Sequence, residues 1–185
     1  MDNKIVVAIG AAVLVAVFII GGSYNSLNSA KIEVEAQYGQ VENQIQRRAD
    51  LIPNLVSTVK GYMQYEEKVL MEVTEARTKV LNAGTPEDKN SADGELTAAL
   101  GNLIAVSENY PELKSDAHFT ELMREIAGSE NRIAVARRDY NSSIRDYNLA
   151  VQNFPGNIFA KFFGFQPMNQ FAAEESAHAV PQVSF

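Results

Sequence analysis

Two histidines and no cysteine are all that this 185-residue chain offers for metal or thiol chemistry. Carboxylate-bridged metal bundles need two inward Glu-x-x-His repeats with further glutamates opposite, because the metals require several converging ligands. Only Glu175 to His178 has that spacing, in a tail of little periodicity, and the other histidine, His118, stands near a predicted helix start. No metal or other cofactor is expected. There is no Walker A loop, no G-x-S-x-G and no dinucleotide fingerprint, and without cysteine there is no thiolate nucleophile or disulfide framework. No catalytic residues are expected, and the chain reads as a non-enzyme. Its net charge of −7 has the wrong sign for a phosphate-backbone footprint, so nucleic acid is not expected as a partner.

Three groups of residues stand out instead. Arg48 and Glu66 fall in the apolar register of the first half of the chain, and Glu130 and Arg137 lie seven apart beside the apolar seam of the second. A buried charge without a partner destabilises a fold, so these four are expected to meet in an internal polar layer. Such a layer would fix helix register; a ligand or proton site is the alternative. The second group is Phe154, Phe159, Phe162, Phe163 and Phe165, in a stretch where Lys161 is the sole charge between Phe154 and Ala173. These rings either cap the end of a bundle or enter the headgroup layer of a membrane. The third is the closing Pro181-Gln182-Val183-Ser184-Phe185, where Val183 and Phe185 suit strand addition to a peptide-binding domain, against the alternative of a disordered end.

The elements that must position these groups are helical. Residues 5–22 carry no charge and make about 27 Å of helix, nearly a bilayer core. A retained single-pass anchor is expected, with a cleaved signal peptide as the alternative, although no A-x-A site follows the run. Lys4 and the terminal amine against Lys31 favour the N-terminus inside. Beyond the run, apolar residues recur at spacings of three and four. Phe119, Ile126, Ile133, Tyr140, Tyr147 and Phe154 lie seven apart and form a coiled-coil-like seam. Within it the tetrapeptide RDYN occurs twice, at 138–141 and 145–148, placing each Tyr on the seam with its ring buried and its hydroxyl toward polar groups.

Val34, Tyr38, Val41, Ile45, Ile52, Leu55, Val59, Tyr62, Val69, Val73, Ala76 and Val80 keep heptad phase earlier in the chain. Asp50 and Pro53 look like a cap and a first-turn proline, which predicts helices over about 26–49 and 51–83. One kinked helix is the alternative, with Gly61 a second possible break. Thr85-Pro86-Glu87-Asp88 resembles a fresh helix start, Gly94 delays the third helix proper, and Ser115 or Asp116 caps the fourth. Residues 86–130 hold ten acidic against three basic side chains, either a solvated face or a surface for a basic partner.

With its anchor, SYNSLNSAKIEVEAQYGQVENQIQRRADLIPNLVSTVKGY, VTEAR, SENYPELKSDAHFTELMREIAGSENRIAVARRDYNSSIRDYN and closing PQVSF, the chain resembles the LemA family over nearly its whole length. That resemblance implies a bacterial single-pass envelope protein with an up-and-down antiparallel four-helix bundle, broken near Pro53. It implies no reaction, cofactor or catalytic residue. Where members often have His-Glu after the VKGY stretch, this chain has Tyr65-Glu66.

The expected organisation is therefore all-α: 1–25 a transmembrane anchor, 26–155 the bundle, 156–185 a Phe-rich segment and flexible tail. The expected function is a scaffold or adaptor in the bacterial inner membrane, binding the lipid bilayer and envelope proteins. A self-assembling, membrane-shaping homo-oligomer is the first rival, and an enzyme or metal-binding bundle the second.

Overall fold

A computed structural model describes residues 3–63 and 66–171. Every regular element among them is an α-helix: α1 (Asn3–Lys60), α2 (Glu67–Asn82), α3 (Pro86–Ser107), α4 (Pro111–Lys114), α5 (Ala117–Gln152) and α6 (Gly156–Phe163). The chain forms two compact units, one of residues 38–139 and one of residues 1–37 with 140–185.

In the 38–139 unit, α1 presents Val41, Ile45, Ala49, Ile52, Leu55 and Val59 to the core, α3 presents Leu96, Leu100 and Leu103, and α5 presents Phe119, Ile126 and Ile133. These are the three-and-four spacings of amphipathic helices that bury one face. Pro53 sits inside α1 without ending it. A proline removes the N–H that would bond the carbonyl four residues earlier, at a cost of about 3 kcal/mol or more in a helix interior. Here that carbonyl belongs to the fully buried Ala49, and it accepts a hydrogen bond of 2.9 Å from Arg77 Nε of α2. The orphan acceptor is thus satisfied from outside its own helix.

The helix break expected near Asp50 therefore lies instead after Lys60, where Tyr62 N and Met63 N both donate to the Val59 carbonyl. The apolar phase slips by one residue at Met63 and Leu70, and Val73, Ala76 and Val80 are buried as expected. Because α1 runs to Lys60 and α2 begins at Glu67, neither the two helices proposed around Pro53 nor one kinked helix over both stretches describes the chain. Thr85 caps α3, its hydroxyl accepting from Asp88 N at 3.1 Å and donating to Asp88 Oδ2 at 2.7 Å. With that cap in place α3 starts at Pro86 and runs through Gly94, which does not delay it.

In the other unit, α1 is exposed at every position from 9 to 22 and contributes Leu27 and Val34 to a core with Tyr140, Ile144, Tyr147 and Val151 of α5. α1 is the one helix among the described residues that is long and apolar enough to cross a membrane. Phe154, expected on the α5 seam, is 79% exposed because α5 ends at Gln152 and the chain turns through Pro155 and Gly156. Only glycine fits that turn, since a Cβ at 156 would lie 2.1 Å from the Ala150 carbonyl oxygen. α6 ends on Gly164 at φ 78°, with Phe165 N bonding the Ala160 carbonyl, and residues 165–171 then run without helix.

Replacing Arg77 by Met is expected to cost about 1–3 kcal/mol of stability, the penalty of an unsatisfied buried carbonyl. Adding Pro53→Ala to that variant should recover most of the loss, because it restores an N–H for the Ala49 carbonyl. Denaturant unfolding of the detergent-solubilised chain, followed by helical circular dichroism, measures both.

Candidate functional site

The most buried charges form a layer in the 38–139 unit. Asp93 of α3 is fully buried and bridges two arginines: Arg48 Nη1 of α1 lies 3.2 Å from its Oδ1, and Arg137 Nη2 of α5 lies 2.8 Å from its Oδ2. Arg48 also pairs with Glu130 of α5 and donates through Nη2 to Thr97 Oγ1 at 2.8 Å. The Thr97 hydroxyl is 3.0 Å from the Asp93 carbonyl and 3.4 Å from Glu130 Oε2. Two positive and two negative groups balance, which is what a low-dielectric interior requires.

The structure brings Arg48, Glu130 and Arg137 together and places Glu66 elsewhere, where it accepts a 3.2 Å hydrogen bond from the Tyr110 hydroxyl. Desolvation, followed by the charge and hydrogen bond of Glu66, holds the Tyr110 hydroxyl above the usual tyrosine range. The residues that sequence reasoning missed are Asp93 and Thr97. Asp93 is in heptad phase with Leu96, Leu100 and Leu103, a signal hidden by starting the helix after Gly94.

Asp116 caps α5, accepting from Phe119 N at 2.9 Å, and accepts a second bond of 2.9 Å from the Tyr62 hydroxyl. These two bonds, the backbone one first, hold its carboxyl below the usual range. The same hydrogen bond, with the carboxylate charge, raises the Tyr62 hydroxyl.

A second polar constellation occupies the other unit, and the RDYN repeat builds it. Asn148 Nδ2 donates to the Met168 carbonyl and its Oδ1 accepts from Met168 N, both at 2.8 Å. One heptad earlier, Asn141 does the same to Phe171, at 3.1 and 2.9 Å. The Tyr147 hydroxyl donates to the Gln166 carbonyl at 2.9 Å, and the Tyr140 ring lies 4.7 Å from that of Phe171. Seven helical residues span about 10.5 Å and three extended residues about 10 Å, so heptad-spaced asparagines meet the backbone at residues 168 and 171. Sequence reasoning placed the tyrosines of this repeat but gave its asparagines no role; their identical spacing was the available signal.

The phenylalanines divide. Phe154 and Phe162 are exposed; Phe159, Phe163 and Phe165 are half-buried. Phe163 makes an edge-to-face contact with Tyr24 of α1 at 5.0 Å, and Phe165 lies 5.9 Å from the same ring. Glu175, His178, Val183 and Phe185 lie outside the described residues.

These features define a protein whose described residues form α-helices alone as regular elements, with one span-capable helix among them, at the N-terminal end. The chain belongs to the LemA family, whose sequence pattern matches residues 37–185. It is similar to the magnetosome proteins MamQ 1 and MamQ 2 of Paramagnetospirillum magneticum, each 28% identical over 174 residues that cover 80% of this chain and 64% of the relative. MamQ of Magnetospirillum gryphiswaldense is 26% identical over the same coverage. Protein LemA of Metamycoplasma hominis is 24% identical over 161 residues, 85% of this chain and 73% of that protein. The chain therefore spans under two thirds of the length of the magnetosome relatives.

Asp93→Asn is expected to lower stability by roughly 3–5 kcal/mol, because it removes the fully buried carboxylate that Arg48 and Arg137 share. Exchanging Arg48→Met, Asp93→Leu and Arg137→Met together should cost far less in the same unfolding measurement. The depressed Asp116 carboxyl stabilises α5 above its unfolded-state pKa and loses that contribution as pH falls through its folded-state value. An Asp116→Asn variant should therefore show a shallower acid limb in a stability against pH profile.

Proposed function

We propose that this protein is a membrane-tethered, non-enzymatic scaffold of the bacterial inner membrane, with residues 5–22 retained as a single-pass anchor and α6 resting in the adjoining headgroup layer. The contact of Phe163 with Tyr24 carries this reading. Tyr24 follows the apolar run by two residues, so α6 lies beside the end of the proposed span. On α6 and its approach, Phe154, Ile158 and Phe162 are four residues apart and all exposed, with Lys161 beside them. An apolar stripe with a single long cation suits the boundary between acyl chains and headgroups, where the rings leave water and the ammonium snorkels outward.

The body of the scaffold is an up-and-down antiparallel bundle of α1, α2, α3 and α5. Pairings within the 38–139 unit support that order: α1 meets α2 through Ala49 and Arg77, α2 meets α3 through Lys79 and Glu95 at 2.6 Å, and α1 meets α3 through Glu42 and Lys89 at 3.7 Å. α5 returns past α1, with Arg47 3.5 Å from Glu125. The Arg48–Asp93–Arg137 layer then serves as a fastener that fixes register, its charges spent on one another rather than on a substrate. The exposed carboxylates within residues 86–130, Glu87, Asp88, Glu108 and Glu112 among them, are the surface offered to basic envelope proteins.

The chain has no tryptophan, so Phe162→Trp supplies a single reporter. In the full chain reconstituted into phosphatidylethanolamine and phosphatidylglycerol vesicles, its emission is expected to shift to the blue and to be quenched by lipids brominated near the headgroup. An emission maximum at the aqueous value without quenching would remove α6 from the membrane.

A further inference from the structure

We propose that the clamp formed by Tyr140, Asn141, Tyr147 and Asn148 on α5 is a peptide-binding site with a second ligand in the same chain, Pro181–Phe185. This goes beyond the scaffold reading and does not depend on it.

The clamp reads main chain. Each asparagine amide presents one acceptor and two donors, and at both positions it takes the N–H and the C=O of a single residue, as a neighbouring strand would. Tyr147 takes one further carbonyl, and the Gln170 side chain donates to the Asn141 carbonyl at 2.9 Å. Two side chains of the segment are read: the ring of Phe171, on Tyr140, and the amide of Gln170, on the Asn141 carbonyl. The requirements on an occupant follow. It must be extended, carry N–H groups at two positions three residues apart, and bring an aromatic ring to the second. The residue before the second point supplies a side-chain donor, Gln170 here and Ser184 in the closing segment, while the one after the first point and the one preceding it are free to vary. The occupant observed here has proline in that preceding position, Pro167, where a missing N–H costs no bond to the clamp, and proline also favours extended backbone.

Proline, three residues and phenylalanine occur again fourteen residues later. Pro167-Met168-Asn169-Gln170-Phe171 and Pro181-Gln182-Val183-Ser184-Phe185 share both marked positions and their separation, and the second segment has the required N–H groups at Gln182 and Phe185. Gln182 therefore corresponds to Met168 opposite Asn148, and Phe185 to Phe171 opposite Asn141 and Tyr140. The resident segment is lightly held: Gln166, Pro167, Asn169 and Gln170 are exposed, and Met168 and Phe171 are half-buried. A site that binds backbone with so little burial exchanges occupants readily, and a segment on the same chain competes at high effective concentration. The clamp thus accepts either 167–171 or 181–185.

A fluorescein-labelled peptide of residues 179–185 tests this on the detergent-solubilised full chain carrying Phe171→Ala and Phe185→Ala, which weakens both resident ligands. Anisotropy is expected to show saturable binding, at least tenfold weaker after Asn141→Ala with Asn148→Ala. A peptide with Gln182→Pro, lacking the N–H that Asn148 must take, should be weakened at least as much against the intact clamp, whereas Val183→Ser in the peptide should change little. The Gln182→Pro peptide asks the question without altering α5, so a clamp variant that misfolds by circular dichroism does not blunt the test. Absence of binding, or binding indifferent to Gln182→Pro, overturns the proposal.

Discussion

A helix can pass through a proline only where the carbonyl one turn earlier finds a donor elsewhere. In this protein the donor is Arg77, on the next helix, and the carbonyl is that of the buried Ala49. With that bond made, α1 continues to Lys60. α2 begins at Glu67 and places Arg77 within reach of Ala49.

Register is held a second time, by charge. Aliphatic heptads slide past one another at modest cost, since one leucine packs much like the next. A fully buried carboxylate does not, because any slip strips Asp93 of Arg48 or Arg137 and leaves an uncompensated charge in a low-dielectric interior. The layer joins α1, α3 and α5, while Arg77 ties α2 to α1, so each of the four long helices is keyed to another by a polar contact as well as by packing.

The other unit uses polar groups differently. The Asn-centred clamps on α5 hold an extended segment by its backbone, and the glycine at 156 lets the chain turn close against the Ala150 carbonyl before α6. Tyr24 then gathers Phe163 and Phe165, which turns the exposed Phe154, Ile158 and Phe162 outward. Apolar surface left in water is costly in proportion to its area, at about 25 cal/mol per Å², so a stripe of this kind is retained where something covers it. A bilayer beside α1 is the cover that the proposed anchor supplies.

Much was legible from the residues alone. The apolar run, the helical class, a cap at Ser115 or Asp116, the buried tyrosines of the repeat and the seam of α5 as far as Tyr147 all follow from local spacing, because periodicity and capping depend on neighbours within a turn or two. So did three of the charges that share one layer. The tertiary structure decided the rest. It decided that Pro53 would be tolerated, since its remedy comes from a residue 28 positions from Ala49. It set Asp93 at the centre of the charge layer and Glu66 outside it, because burial depends on which helices meet. It also gave the RDYN asparagines their partners 20 and 30 residues away. Sequence fixes which atoms need partners; only the packed chain determines which ones they find.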